Sequence, residues 1–261
     1  MLSATRIKQL RSLHQKKYRR HENQFLLEGN RLIDQALSAD AKLFEVWMTQ
    51  KNLDSPFGKN ILQKFEEKKI PFSVAPEKII RQMSDSLNDQ GIIALAPIPI
   101  YEKYDNPPKM GIYLDGIADP GNMGTILRTA AWFGIKSIFR SHECVDPFNS
   151  KVVRSAMGAH FYFSHFEAVS EEKVLGDYSK SGMEILGSDM NGSPIQSFIL
   201  QTVKGWIIIL GNEAHGIGET AQTFITSTIS IPGIDGMESL NVSVAGGILI
   251  HTLTSQLSVT Y

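Results

Sequence analysis

Apolar residues recur at helical spacing in two early stretches, residues 5–13 and 29–38. The second places Leu32, Ile33, Ala36 and Leu37 on one face. FEVWMT (44–49), IPFSVA (70–75) and GIIALA (91–96) read as strands, with helices expected over 58–69 and 76–84. Together they predict a small α/β unit. PIPIYEKYDNPPK (97–109) follows with four prolines and reads as a linker.

Beyond it, strand and helix patterns alternate. MGIYLD (110–115) precedes a helix over 122–133, SIFR (137–140) one near 149–157, and HFYFSHF (160–166), read as a strand, a polar helix within 170–181. MEILGSD (183–189), GWIIILG (205–211) and STISIP (227–232) complete the strands, and a long helix is expected from 241 to 256. WIIIL is apolar at every position, as in a strand covered on both faces. The expected class is α/β with a mostly parallel sheet.

Composition adds little until it is resolved along the chain. The 261 residues are 42% hydrophobic and 20% charged, with a net charge of -1, an ordinary globular balance. Residues 1–31, however, carry eight basic side chains against two acidic ones (Glu22 and Glu28). Such an excess reads either as a solvated helical face or as a surface for phosphates. Cys144 is the single cysteine, so no intrachain disulfide forms and a reducing compartment is expected. With no secretory h-region and no apolar run of membrane-spanning length, the expected location is the cytoplasm.

Ligands of parallel sheets gather at the carboxyl ends of the strands, and three such ends carry unusual loops. They are DPGNMGTILRTA (119–130), LGNEAHGIG (210–218) and IPGIDGMESLN (231–241). None is a dinucleotide fingerprint or a Gly-Lys-Ser/Thr phosphate loop, which disfavours nicotinamide and nucleoside-triphosphate enzymes. The histidines lack ligand spacing, so no metal is expected. No Gly-x-Ser-x-Gly elbow supports a serine hydrolase.

In order, the three loops resemble the motifs of the SpoU (TrmH) family of RNA ribose 2′-O-methyltransferases, within the SPOUT superfamily. The segments are LDGIADPGNMGTILRTAAWFG, IIILGNEAHGIG and ISIPGIDGMESLNVSVA. DPFNSKVVRSAMGAHF (146–161) and the N-terminal KKYRRHENQFLLEGNRLIDQAL are similar to further family segments. The sequence departs from many relatives at Asp235, where they have Gly, and after Pro232, where they have Met.

The resemblance implies an RNA substrate-binding domain over 1–98 (an L30e/L7Ae-like α/β unit), a linker over 99–109 and a methyltransferase domain over 110–261. The latter would be a parallel sheet with a C-terminal deep trefoil knot. S-adenosyl-L-methionine is the implied methyl donor, held by main-chain groups of Gly211, Ile231 and Leu240 with Leu210 alongside, and the loop around Ser188 closing over it. Implied catalytic residues are Arg128, Asn122, Glu213, Ser239 and Asn241. Asn122 and Asn241 would orient groups by hydrogen bonds, and Glu213 would position Arg128 or Asn122. Ser239 is either a positioning hydroxyl or a helix cap. A guanidinium keeps its proton, so Arg128 suits electrostatic stabilisation of a developing alkoxide better than general-base work.

RNA contacts are expected from Lys16, Lys17, Arg19, Arg20, Arg31 and Arg154, with Tyr18 and Phe25 as stacking partners. A homodimer is implied, and the apolar helix 241–256 fits either an interface or a core. Ribosomal RNA is the expected substrate. The alternatives are a tRNA ribose methyltransferase, a base methyltransferase of the same superfamily, and a non-catalytic RNA-binding protein that retains the fold.

Overall fold

The computed structural model describes residues 2–86, 89–234 and 239–257. Its contacts divide the chain into two compact units. The first holds residues up to Ile100 together with Asp146–Phe161, and the second holds Tyr101–Val145 and residues from Tyr162 onward.

Along the first unit run α1 (Ala4–Ser12), α2 (Lys16–Glu22), β1 (Gln24–Glu28), α3 (Asn30–Ser38) and β2 (Glu45–Met48). There follow α4 (Gln50–Leu53), α5 (Pro56–Glu67), β3 (Phe72–Val74), α6 (Glu77–Met83) and β4 (Ile92–Pro97). The strands lie in the order β1-β4-β2-β3, antiparallel except for the β2–β3 pair. Alternation of period two sorts their side chains onto two faces. Phe25, Leu27, Val46, Met48, Ile92, Ala94 and Ala96 enter one core, which α3, α5 and Val153 complete. Leu26, Trp47, Ile93 and Leu95 enter the other, against Leu10, Leu13, Ile80 and Met83.

The second unit opens with β5 (Met110–Leu114), α7 (Pro120–Trp132) and β6 (Ser137–Arg140). The chain then passes through α8 (Ser150–Ala156), which packs in the first unit, and returns as β7 (His165–Ala168), α9 (Glu171–Lys180) and β8 (Glu184–Pro194). It ends with β9 (Trp206–Leu210), α10 (Glu219–Gln222), β10 (Ser227–Ser230) and α11 (Val242–Gln256). The six strands form one parallel sheet in the order β10-β8-β9-β5-β6-β7. β9 is buried at all five positions, as its unbroken apolar run requires.

Three sequence expectations change. HFYFSHF is not a strand over 160–166: Ala159–Phe161 is a 3-10 turn and the strand starts at His165. The turn buries His160 and packs Phe161 on Phe25, with ring centroids 6.2 Å apart, so its aromatic residues serve the first unit's core. Phe25 therefore stands in that core, 1% exposed, and not on an RNA-facing platform. The proline-rich stretch is also held in place from Tyr101 on. Glu102 N–H donates to the Ser164 carbonyl at 2.8 Å, and the Tyr178 hydroxyl to the Pro108 carbonyl at 2.8 Å. The Tyr104 ring meets Phe139 edge to face at 4.9 Å.

Candidate active site

Register brings the first two loops together. β5 pairs with β9 from Met110↔Trp206 to Leu114↔Leu210, so Asp115 and Gly211 leave the sheet side by side. Asn212 donates through Nδ2 to the Gly116 carbonyl at 2.7 Å, while its Oδ1 accepts from Ala214 and His215 N–H groups. Asn212 and Gly216 also exchange two backbone hydrogen bonds of 2.8 Å, closing a small loop. The Asp115 carboxylate accepts from Gly218 N–H at 2.7 Å, a second latch between the loops. Burial raises the Asp115 pKa, an effect this hydrogen bond opposes.

Gly211 is required for a reason other than ligand approach. A Cβ there would lie 2.4 Å from the Gly216 carbonyl carbon and 2.6 Å from Ile217 N, so the loop's own backbone occupies that space.

The first loop becomes α7 through Asp119, whose Oδ1 accepts from Asn122 N–H at 2.7 Å, with Pro120 in the first helical turn. That cap holds Asn122 at the mouth of the helix. Asn122 Nδ2 donates to Glu213 Oε1 at 2.7 Å, and Asn241 Nδ2 donates to Asn122 Oδ1 at 2.9 Å. Asn241 itself caps α11. One residue from each of the three loops thus enters a single chain of hydrogen bonds. The cap role considered for Ser239 falls to Asn241, and Ser239 is exposed two residues earlier.

Arg128 stands six residues after Asn122, about 9 Å along the helix and about 120° around it. It shares an exposed stripe with Thr125 and Trp132, and among the described residues its guanidinium makes no ion pair or hydrogen bond. Glu213 accordingly engages Asn122, not Arg128.

Of the expected cofactor residues, Leu210, Gly211 and Ile231 lie at the carboxyl ends of β9 and β10, Ser188 lies within β8, and Leu240 immediately precedes the α11 cap. Leu210 is buried at the end of β9, with Gly246 of α11 packed close enough that a Cβ there would lie 2.9 Å from its Cδ1. Ser188 opens an excursion of β8. The β10 pairing jumps from Thr228↔Gly187 to Ile229↔Ser193, leaving residues 188–192 outside the register. Ile231 follows β10, and Leu240 is 47% exposed just before the α11 cap. The Asp235 departure lies outside the described residues.

In the first unit, Lys16, Lys17, Arg20 and Arg31 are exposed, as is Tyr18 at 39%. Arg19 is not. Its Nη1 donates to the Leu13 and His14 carbonyls at 2.8 and 2.7 Å, and its Nη2 pairs with Asp146, with 4% of the side chain exposed. Two carbonyls and a carboxylate hold both terminal nitrogens of this buried cation, while its Nε is enclosed without a partner among the described residues, so Arg19 is a structural residue in place of the expected RNA contact. Arg154 is half-buried, and its Nη1 is enclosed without a hydrogen-bond partner among the described residues.

Sequence reading missed Asp115 and Asp119, although the run Asp-Pro-Gly-Asn before an apolar helix is itself an N-cap signal. Among the described residues no group of three or more His, Cys, Asp or Glu could hold a metal ion. Nor is any helix there long and apolar enough to cross a membrane.

Residues 4–94 match the MRM3-like substrate binding domain. The chain is 28% identical over 251 residues to the 23S rRNA (guanosine(2553)-2′-O)-methyltransferase RlmP of Bacillus subtilis, covering 95% of each protein. Mouse mitochondrial rRNA methyltransferase 3 is 27% identical over 298 residues, with 93% of this chain and 70% of that protein covered. Among solved structures, a proposed RNA methyltransferase of the TrmH family from Porphyromonas gingivalis superposes with a TM-score of 0.80 at 29% identity, covering 97% of this chain and 98% of that one. Residues 109–251, which contain all three loops, match the SpoU rRNA Methylase family, and the chain belongs to that family.

Proposed function

We propose that the protein transfers a methyl group from S-adenosyl-L-methionine to a ribose 2′-hydroxyl of structured RNA, with ribosomal RNA as the substrate class. The observation that carries this reading is the hydrogen-bonded linkage of Asn122, Glu213 and Asn241, with Asn122 on the helix that also presents Arg128, which makes no ion pair or hydrogen bond among the described residues. Names of relatives over nearly the whole chain favour ribosomal RNA.

The donor set suits the cofactor. The ends of β9 and β10 carry main-chain groups at Gly211 and Ile231, and Leu240 before the α11 cap adds a main-chain group and exposed aliphatic surface, a donor set of the kind that the polar rim and flat apolar face of adenine require. Ser188 stands on the neighbouring excursion. Bound there, S-adenosyl-L-methionine supplies an electrophilic methyl group on a sulfonium centre.

The remaining chemistry belongs to the chain's own residues. A 2′-hydroxyl is a weak nucleophile that must give up its proton, to a water or the neighbouring phosphate, as the oxygen–methyl bond forms and the sulfur–methyl bond breaks, so charge developing on its oxygen must be stabilised. Arg128, a guanidinium with no ion pair among the described residues, supplies a positive charge for that oxygen and a neighbouring phosphate. Asn122 and Glu213 orient groups at the mouth of the helix, and Ser239 offers a further hydroxyl. Lys16, Lys17, Arg20 and Arg31 give the first unit a phosphate-binding surface, with Tyr18 available for stacking. Domain limits of 1–98 and 110–261, a deep trefoil knot and a homodimer are parts of the same reading.

Arg128→Ala tests the assignment. Transfer of labelled methyl to ribosomal RNA from a deletion strain should fall by roughly 100-fold or more, with cofactor affinity by calorimetry changed only a few-fold. Nuclease digestion should place the wild-type label on ribose oxygen. Label on a base, or a normal rate in the variant, refutes the reading.

A further inference from the structure

The hydrogen bonds joining the three loops have a direction that originates in a helix cap. Asn241 Oδ1 accepts from Ser243 N–H at 2.9 Å, Val244 N–H at 3.3 Å and Ser243 Oγ at 2.6 Å. Backbone N–H groups only donate, so the end of this amide that faces α11 must be its oxygen. Its nitrogen therefore points away from the helix, toward Asn122 Oδ1 at 2.9 Å. With its oxygen so engaged, Asn122 has its nitrogen left for Glu213, whose Oε1 accepts at 2.7 Å.

We propose that Asn241 is a positioning residue whose capping of α11 fixes the polarity of an Asn241→Asn122→Glu213 relay. The start of α11 thereby decides which end of Asn122 faces Glu213 and holds that carboxylate in one orientation. Its consequence for catalysis rests on the methyl-transfer reading, whereas the polarity itself does not.

An aspartate caps a helix as well as an asparagine does, but it carries no donor. In Asn241→Asp, the cap survives and Asn122 must turn its nitrogen toward residue 241. Its oxygen then faces the Glu213 carboxylate, acceptor against acceptor. Glu213→Gln removes the conflict, because an amide can present either end. The two substitutions should therefore be coupled through Asn122.

Thermal unfolding of Asn241→Asp, Glu213→Gln and the double variant measures this coupling, in the natural background and in Asn122→Ala. Asn241→Asp should lower Tm by about 3 °C or more with glutamate at 213, and by about 1 °C or less with glutamine there. The difference should vanish when Asn122 is alanine. Equal losses with glutamate and with glutamine at position 213 overturn the proposal. So does coupling that survives Asn122→Ala, which would mean direct repulsion between two carboxylates. In single-turnover methyl transfer, Asn241→Asp should be slower by roughly tenfold or more with cofactor affinity within about threefold, and a wild-type rate also overturns the proposal. If the natural protein methylates no RNA, the functional reading fails while the unfolding cycle still decides the polarity.

Discussion

Glycine at 211 and glycine at 216 answer to different physics, and substitution separates them. Gly211 has no room for a Cβ, which would lie 2.4 Å from the Gly216 carbonyl carbon. Gly216 has open space but a backbone φ of +70°, a conformation asparagine also adopts. Gly211→Ala should force the Asn212–Gly216 loop open, cost about 1–3 kcal/mol and weaken cofactor binding. Gly216→Asn should cost less than about 1 kcal/mol. Urea unfolding and calorimetric titration check both, and an equal cost at the two positions would remove the steric explanation. At this scale the sequence marked the three loops whose Asn122, Glu213 and Asn241 the structure joins by hydrogen bonds. It misjudged Arg19 and Phe25, whose surroundings depend on Asp146, Phe148 and Phe161, more than 120 positions away, where local spacing carries no information.

The elements were legible where periodicity is strong and long. The helix expected over 122–133 is α7, and that over 241–256 is α11. α2 was missed because KKYRRHE offers no apolar stripe, and β1 because QFLLE is a short apolar run beside a charged segment. The excursion of β8 depends on pairing with β10, which only the folded sheet reveals. α7 and α11 raise a further question, since they pack on each other yet leave Trp132 81%, Val244 51% and Ile248 37% exposed. Large apolar side chains exposed on two packed helices favour self-association. Ile248→Glu should therefore convert a dimer into monomers in light scattering while leaving the far-ultraviolet circular dichroism unchanged. A monomeric natural protein, or a dimer that tolerates the glutamate, would exclude this face as the interface.

At the scale of the whole molecule, the order of residues along the chain and the grouping of contacts do not coincide. Asp146–Phe161 follows β6 in sequence, yet it supplies the first unit with a carboxylate for Arg19, with Val153, and with aromatic partners for Phe25. Burial holds the His160 pKa down at about 4, and its Nε2–H donates to the Pro147 carbonyl at 2.8 Å, so the ring is neutral inside this segment. The sign of its effect on stability follows from linkage. In the unfolded chain the same imidazole titrates near 6.5, so between about pH 6.5 and 4 the unfolded state binds the extra proton. Stability must then fall as pH falls through that window, and the loss between pH 7 and 5 should be about 2 kcal/mol. Trp47 is fully buried in the first unit and reports its unfolding once Trp132 and Trp206 are replaced by phenylalanine. In that background, urea midpoints followed by fluorescence should drop from pH 7 to 5, and His160→Gln should flatten the drop whatever its own cost at pH 7. An unchanged pH dependence in the glutamine variant would place the acid sensitivity elsewhere in the unit.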